Sequence, residues 1–200
     1  MKFKGLVRTR PAGSGMRAMF FVLAGLQAVA SQALAGEVWV NIDTTQRVLY
    51  LMNGDNVVQT FDNISIGKNG ATFTKLVHDG KTPWGDYRIR RINRESRFHI
   101  FFGLDYPSRE RAVSAYMADQ ISAAELEEIF RAHEMGIEPS GSTPLGGAIG
   151  IHGIGNGDPR IHEDFDWTDG CVAVTNEQLD ELAGKIGLGT RVVIGASSTP

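Results

Sequence analysis

Short runs of apolar and β-branched residues, separated by turn residues, occupy most of the chain from Val38 onward. Runs that end after a few residues at Gly, Asn or Asp are typical of β-strands rather than helices. Asn53-Gly54-Asp55 lies between two such runs and predicts a hairpin. The pattern predicts strands at 38–42, 47–52, 57–61, 63–67, 86–92, 97–102, 148–151, 171–174 and 191–195.

Helical periodicity begins at three places, two of which carry a reciprocal start signal. Residues 122–125 and 175–178 are capping boxes, in which the side chains of the first and fourth residues bond each other's backbone amides. An apolar stripe follows each box, and the two helices are expected to end at Gly136 and Gly187. A shorter helix is expected at 108–117. This order of elements predicts a single, mainly β domain with a helical insertion and no linker or internal repeat.

The chain has 200 residues, a length that corresponds to one domain with or without a targeting segment. Hydrophobic residues make up 42% and charged residues 22%, which argues against a disordered chain. Residues 1–35 contain five basic residues and no acidic one, so the rest of the chain has a formal charge of −8. Nucleic acid is therefore not an expected partner, because its binding needs Lys and Arg to neutralise phosphates.

Residues 1–35 have the three parts of a secretory signal peptide. Basic residues end at Arg17, an apolar run follows at 18–30, and Ala33-Leu34-Ala35 offers small residues for cleavage. The apolar run is shorter than the roughly 20 residues that span a bilayer, and an uncleaved anchor is the alternative. We expect the mature protein to begin at Gly36, to work outside the cytoplasm and to have no stable membrane insertion.

The chain contains one cysteine, Cys171, which excludes an internal disulfide and a multi-cysteine metal centre. In an exported protein such a residue is either a buried apolar side chain or a reactive thiol. Gly170 lets the backbone bend so that the Gly170 and Cys171 N–H groups point at one spot, as an oxyanion hole requires. A thiol nucleophile also needs a base, and His152, at the end of a predicted strand, is the candidate.

The residues around this pair resemble the active-site motif of the L,D-transpeptidase catalytic domain family (YkuD type). IGIHG at 149–153 and TDGC at 168–171 are similar to the family's histidine, loop and Ser/Thr-His-Gly-Cys pattern, with fifteen residues between His152 and Thr168. The resemblance covers nearly all of residues 36–200, which it assigns to the catalytic domain. It implies an L,D-transpeptidase-type β-sandwich with a helical insertion and one helix after the nucleophile. Other similar segments lie at 40–68, 82–89 and 175–182.

The resemblance implies that Cys171 is the nucleophile, that His152 is the base and that the Gly153 carbonyl orients the imidazole. The family attacks the L-centre carbonyl of diaminopimelate in a peptidoglycan tetrapeptide stem, expels D-Ala and passes the acyl group from a thioester to an amine. The implied location is the periplasm, and the acceptor is a diaminopimelate, a protein amine, a D-amino acid or water. No cofactor and no metal are needed, because a thiolate and a base suffice.

Two alternatives to transpeptidation stay open. One is a carboxypeptidase or amidase that hydrolyses stem or stem–protein bonds on the same scaffold. The other is a non-catalytic wall-binding domain, against which the retention of Cys171 and His152 argues.

Two positions depart from the family pattern. Asp169 stands where the family has a histidine, and Ala173 where it often has an arginine that can hold a substrate carboxylate. A carboxylate close to a thiol opposes thiolate formation. We expect Asp169 to cap the turn through backbone N–H groups; the alternative is pairing with a cation, for which Arg160 is the nearest candidate in sequence.

Four residues near the motif are candidates for substrate binding: Trp84, Trp167, Asp169 and Arg160. Either tryptophan is equally suited to core packing. His162 is expected to be a solvated loop histidine rather than a metal ligand. A cluster of arginines is expected to form a solvated sheet face, with a basic rim for stem carboxylates as the alternative; its members are Arg88, Arg90, Arg91, Arg94 and Arg97.

Overall fold

The computed structural model describes residues 36–196, and the predicted signal segment lies outside the described residues. The described part is mainly β, which confirms the predicted fold class. Its strands are β1 (Val38–Asp43), β2 (Val48–Asn53), β3 (Asn56–Asp62), β4 (Ala71–Thr72), β5 (Thr82–Pro83), β6 (Gly85–Ser96), β7 (His99–Leu104), β8 (Gly150–His152), β9 (Val172–Ala173) and β10 (Arg191–Gly195). Its helices are α1 (Arg109–Met117), α2 (Ala123–Met135), α3 (Pro159–Asp164) and α4 (Asn176–Ala183). None of these helices is long and apolar enough to cross a membrane.

Eight of these strands form one sheet in the order β3-β2-β1-β10-β6-β7-β8-β9, and β4 pairs with β5. The long strand β6 connects two parts of this sheet. Residues 85–88 pair with β10, and the residues from Ile89 onward pair with β7. Apolar side chains from both parts meet in one core cluster, which supplies the main hydrophobic stabilisation of the domain. The cluster includes Val40, Leu51, Ile89, Phe102, Ile151, Val172 and Ile194.

The segment that follows β3 brings the two ends of the sheet together. Ser65 N–H donates to Ala173 O at 2.9 Å, and Ala173 N–H donates back to Ser65 O at 2.8 Å. The strand predicted at 63–67 is wrong, because this segment forms isolated bridges at Ser65 and Gly67 instead. The sheet therefore curves until the chain leaving β3 lies beside β9.

Both predicted capping boxes are confirmed. At the start of α2, the Ser122 hydroxyl accepts the Glu125 N–H, and the Glu125 carboxylate accepts the Ser122 N–H. The helix ends at Gly136, which adopts a left-handed φ of 68° and is the predicted stop. The shorter helix predicted at 108–117 is confirmed as α1. These two helices form the predicted insertion, whose own apolar cluster comprises Ala112, Ala115, Ile121, Ile129 and Leu145.

The helix after the cysteine is shorter than its apolar stripe. α4 ends at Ala183 rather than at the predicted Gly187. Leu179 and Leu182 are buried on the helix, whereas Ile186 is buried in the turn that follows it. The apolar spacing continues past the last helical residue, which explains the error in the predicted end.

The pattern predicts the loop between His152 and Thr168 but not the helix α3 inside it, nor the two-residue strands β4 and β5. Asp158 caps α3 by accepting the Arg160 N–H at 2.9 Å, and Pro159 occupies its first position. The loop is then fixed to the sheet by Asp166, whose carboxylate accepts the Ile66 N–H at 3.0 Å and pairs with Arg47 at 2.5 Å. These contacts determine where the chain enters the TDGC turn.

Thr175→Ala removes the hydroxyl that accepts the Gln178 N–H at 3.2 Å at the start of α4. Because the substitution leaves this amide without its partner, we expect the free energy of unfolding to fall by about 1 kcal/mol. Denaturant unfolding followed by circular dichroism measures the change. Thr175→Ser keeps the hydroxyl as a matched control, and equal losses in the two variants would contradict the capping assignment.

Candidate active site

The pairing of β8 with β9 brings the predicted histidine and cysteine to one place. The two strands are parallel, with Ile151 opposite Val172 and His152 opposite Ala173. Ile151 and Val172 face the core, and side chains alternate along a strand. His152 and Cys171 therefore lie on the other face, the thiol beside the start of β8 and the imidazole at its end.

The imidazole of His152 is held in one orientation. Its Nδ1 lies 2.7 Å from the Gly153 carbonyl oxygen, as the resemblance implies. A carbonyl accepts only, so Nδ1 carries the proton and Nε2 keeps its lone pair. The ring stacks on Phe98 with 4.4 Å between centroids, and Trp167 meets it at 5.7 Å. Burial lowers the pKa of His152, which makes the residue a neutral base at Nε2.

The thiol of Cys171 is held in its protonated form. Its Sγ donates to the Ala148 carbonyl at 3.5 Å. Burial raises the pKa of Cys171 to about 11, against the opposing effects of the Gly150 amide and the charge of Lys75. A neutral thiol therefore faces a neutral imidazole. Such a pair reacts by proton transfer to the base during attack, rather than from a preformed ion pair.

The turn before the cysteine is closed by Thr168. Its Oγ1 accepts the Gly170 N–H at 3.1 Å and donates to the Cys171 carbonyl at 2.7 Å. Gly170 has a φ of 134°, and a Cβ there would lie 2.7 Å from the Lys81 carbonyl oxygen, which explains the glycine. The prediction of Gly170 as an oxyanion donor is wrong, because its N–H is used inside the turn. The Cys171 N–H makes no hydrogen bond within residues 36–196 and is the remaining candidate.

The predicted role of Asp169 is also wrong. Its side chain is 86% exposed and accepts from Lys68 Nζ at 2.7 Å, and Thr168 makes the turn bonds instead. The hydrogen bond and charge of Lys68 lower the pKa of Asp169. The alternative, pairing with a cation, is what the structure shows, but the partner is Lys68 rather than Arg160, which is bound to Asp158 at 2.9 Å. The carboxylate thus points into solvent toward an ammonium group, which moderates its effect on the thiol.

Sequence reasoning missed Lys75, whose buried ammonium lies below the turn. Lys75 Nζ pairs with Asp79 at 2.7 Å and lies 3.4 Å from the Asp169 carbonyl oxygen. Asp79 in turn accepts the N–H groups of Leu76 and Lys81, both at 2.9 Å, so the pair is fixed. In the sequence, the spacing of four residues between Lys75 and Asp79 indicates an ion pair between them. It does not indicate that Lys75 lies near the TDGC turn.

Two cavities flank the histidine and the cysteine. One, of about 450 Å³, is lined by Phe98, Trp167 and the start of α3, on the side of the imidazole. The other, of about 320 Å³, is lined by Lys68, Lys75 and His78, on the side of the TDGC turn. The first has aromatic walls, whereas the second combines two lysines with the carboxylate of Asp169.

The structure separates the two predicted tryptophans. Trp167 lies against the His152 ring, whereas Trp84 packs on the main core and donates to Thr44 Oγ1 at 3.1 Å. Trp84 is therefore a core-packing residue, which is the alternative expected for it, rather than part of a substrate-binding wall. The predicted solvation of His162 is wrong: the residue is 3% exposed, and its Nδ1 accepts from the Trp167 indole at 3.3 Å.

Most of the arginine cluster is paired with carboxylates. Arg88, Arg90 and Arg91 contact Glu37, Asp105 and Glu138, respectively. Arg97 stacks over Phe98, with its guanidinium carbon 4.6 Å from the ring centroid, and lines the larger cavity.

Within residues 36–196, no group of three or more His, Cys, Asp and Glu side chains is arranged to hold a metal ion.

Fold and site together define a class, a mainly β domain that presents a cysteine and a buried histidine on one face of two paired strands. The profile of the L,D-transpeptidase catalytic domain (YkuD) matches residues 36–194. The chain belongs to this family.

Solved structures share the fold at low sequence identity. The helical cell shape determining protein Pgp2 from Campylobacter jejuni matches with a TM-score of 0.56 and 21% identity, over 82% of this chain and 49% of that chain. Bd1075 from Bdellovibrio bacteriovorus matches with a TM-score of 0.50 and 19% identity, over 82% and 51%. The chain thus spans about half the length of these two proteins. No curated protein sequence matches it significantly.

Thr168→Val tests which residue closes the turn. We expect the free energy of unfolding to fall by about 1–3 kcal/mol, because the Gly170 amide and the Cys171 carbonyl lose a buried partner. Asp169→Ala removes an exposed side chain and is expected to cost less than about 0.5 kcal/mol. Denaturant unfolding compares the two, with Thr168→Ser as the control that keeps the hydroxyl. A larger loss in Asp169→Ala than in Thr168→Val would refute the assignment.

Acid is expected to destabilise the protein through its two buried imidazoles. Burial lowers the pKa of His152 and of His162 below the ordinary value of 6.5. The stability they contribute is therefore complete above that value and is lost as the pH falls toward their folded-state pKa. We expect Tm to drop between about pH 7 and about pH 5, and His162→Asn to reduce the drop. A Tm that stays constant over this interval would contradict the lowered pKa values.

Proposed function

We propose that the protein is a periplasmic cysteine acyltransferase that acts on peptidoglycan tetrapeptide stems. The observation that carries the proposal is the oriented Cys171 and His152 pair, with Nδ1 of the imidazole held by Gly153 and Nε2 left as the acceptor. Membership of the L,D-transpeptidase family supports the substrate class. The signal-type sequence of residues 1–35 supports export to the compartment where stem peptides are found.

The first half-reaction forms a thioester. Cys171 Sγ attacks the carbonyl carbon at the L-centre of diaminopimelate while His152 Nε2 takes the thiol proton. The Cys171 N–H donates to the oxygen that becomes negatively charged. The C–N bond to D-Ala then breaks, and the imidazolium returns the proton to the leaving amine.

The second half-reaction transfers the acyl group. An acceptor amine attacks the thioester carbon, His152 Nε2 takes the proton of that amine, the C–S bond breaks, and the imidazolium returns the proton to the sulfur, which restores the thiol and the neutral base. The aromatic cavity formed by Phe98 and Trp167 lies on the imidazole side and is suited to hold this acceptor, because the base must reach the attacking nitrogen. The second cavity is suited to the carboxylates of the donor stem, because the exposed ammonium of Lys68 lines it and can bond a further carboxylate.

The assay for this function incubates the protein from Gly36 onward with purified disaccharide-tetrapeptides and reads the products by mass. We expect release of D-Ala and formation of a cross-linked or amine-exchanged product. Cys171→Ala is expected to lose all activity, and His152→Ala nearly as much, because the two residues act as a unit. His133→Gln, a histidine variant in the helical insertion, is the matched control and is expected to retain activity.

Two results would change the proposal. Turnover by Cys171→Ala comparable with the wild type would end the covalent mechanism. Release of D-Ala with water as the only acceptor would assign the protein to the hydrolases of the same scaffold.

A carbapenem is expected to add once, at Cys171, and an intact-mass adduct that persists in Cys171→Ala would place the nucleophile elsewhere.

A further inference from the structure

A lysine ammonium is buried against the two residues that precede the nucleophile, outside the residues that the acyl-transfer steps use. The side chain of Lys75 is 4% exposed, although burying a charge is costly unless it is paired and hydrogen-bonded. Asp79 supplies the ion pair at 2.7 Å, and the carbonyl oxygens of Leu76 and Asp169 complete the ammonium's contacts at 3.5 and 3.4 Å. Several polar contacts of this loop therefore hold the Lys75 ammonium in place.

The position of this cation is set by Gly170. A Cβ on Gly170 would lie 3.0 Å from Lys75 Nζ, so the ammonium packs against the residue immediately before Cys171. Its contact to the Asp169 carbonyl fixes the peptide that leads into Gly170. Any larger residue at 170 would displace either the ammonium or the Lys81 carbonyl, which lies 2.7 Å from the same point.

Lys75, Asp169 and Glu138 are the charged groups that act on the Cys171 thiol, and Lys75 is the buried cation among them. Lys75 stabilises the thiolate of Cys171, whereas Asp169 and Glu138 oppose it. Asp169 is paired with the exposed Lys68, and Glu138 is paired with an arginine on β6. Other titratable groups around Lys75 are Asp79, which pairs with it, His78 in the same loop, and the buried Tyr106 and Arg111, which donate to its carbonyl oxygen at 3.5 and 3.1 Å; His152 lies on the same sheet face as Cys171.

We propose that Lys75 is a positioning residue for the nucleophile: it holds the Asp169 carbonyl, and thereby the Gly170–Cys171 backbone, and it places a fixed positive charge beside the sulfur. The inference rests on the proposed function only in taking Cys171 as the nucleophile. It accounts for a site that has aspartate at 169 and alanine at 173, since the cation enters from the loop between β4 and β5 rather than from the motif itself.

The test is the rate at which iodoacetamide alkylates Cys171, measured against pH by intact mass. Below the thiol pKa the rate is proportional to the thiolate fraction, so a tenfold change corresponds to one pKa unit. Lys75→Met is expected to lower the rate at about pH 8 at least tenfold. Lys75→Arg, which keeps the charge, is expected to recover most of the rate. Lys185→Met, which removes an exposed ammonium after α4 whose contact is with Gln59, is expected to change it less than about twofold.

A second variant separates charge from folding. Lys75→Met alone leaves Asp79 unpaired, so Lys75→Met/Asp79→Asn removes both charges and is expected to show the same slow alkylation in a folded protein. A rate within about twofold of the wild type in the folded double variant would overturn the proposal. Equal slowing in Lys185→Met would also overturn it, as would failure of the double variant to fold, because Lys75 would then be a structural residue.

This measurement is independent of the acyltransfer assay. Alkylation needs neither a stem peptide nor an acceptor, so a protein inactive on disaccharide-tetrapeptides still reports the effect of Lys75 on Cys171. Conversely, unchanged alkylation in the Lys75 variants leaves the stem assay as a separate test of the proposed function.

Discussion

The parallel pairing of two very short strands is the constraint on which the site depends. Ile151 opposite Val172 fixes the register, and this register alone puts the imidazole and the thiol on the same face. The other neighbours of β8 also approach closely: a Cβ on Gly150 would lie 2.4 Å from the Phe102 carbonyl oxygen on β7, and one on Gly153 would lie 2.5 Å from Asn176 Oδ1 on α4. The glycines on either side of the histidine are therefore requirements of packing as much as of catalysis.

Local signals in the sequence were sufficient for most of the fold. The longer strands, both capping boxes and the Gly136 stop follow from periodicity and cap chemistry, which act over a few residues. The segment 63–67 has the composition of a strand, but its partner at Ala173 is long-range and allows only single bridges. The six-residue helix α3 has the right cap at Asp158 but is too short for an amphipathic stripe.

The nucleophile and the base of the candidate site could be predicted from the sequence, but the charged groups around them could not. Cys171, His152 and the Gly153 carbonyl follow from the motif, because their relation is set by two paired strands. Asp169 was assigned to the turn and instead bonds Lys68, which lies 101 positions away, while Thr168 takes the turn bonds. Which buried cation serves a thiol depends on the packing of a distant loop, and no local pattern around the cysteine encodes it.

The reciprocal bonds between Ser65 and Ala173 also determine how a peptide can reach the thiol. Many proteins bind extended peptides by strand addition, which uses the free N–H and C=O groups along a sheet edge. At β9 that edge is already occupied by Ser65, and the Cys171 carbonyl is taken by Thr168. We therefore expect the proposed substrate, a stem peptide, to lie across the face of the sheet and to be recognised through its side chains and carboxylates. Its branched, mixed-chirality backbone, which cannot form a regular β-ladder, is then no obstacle to binding.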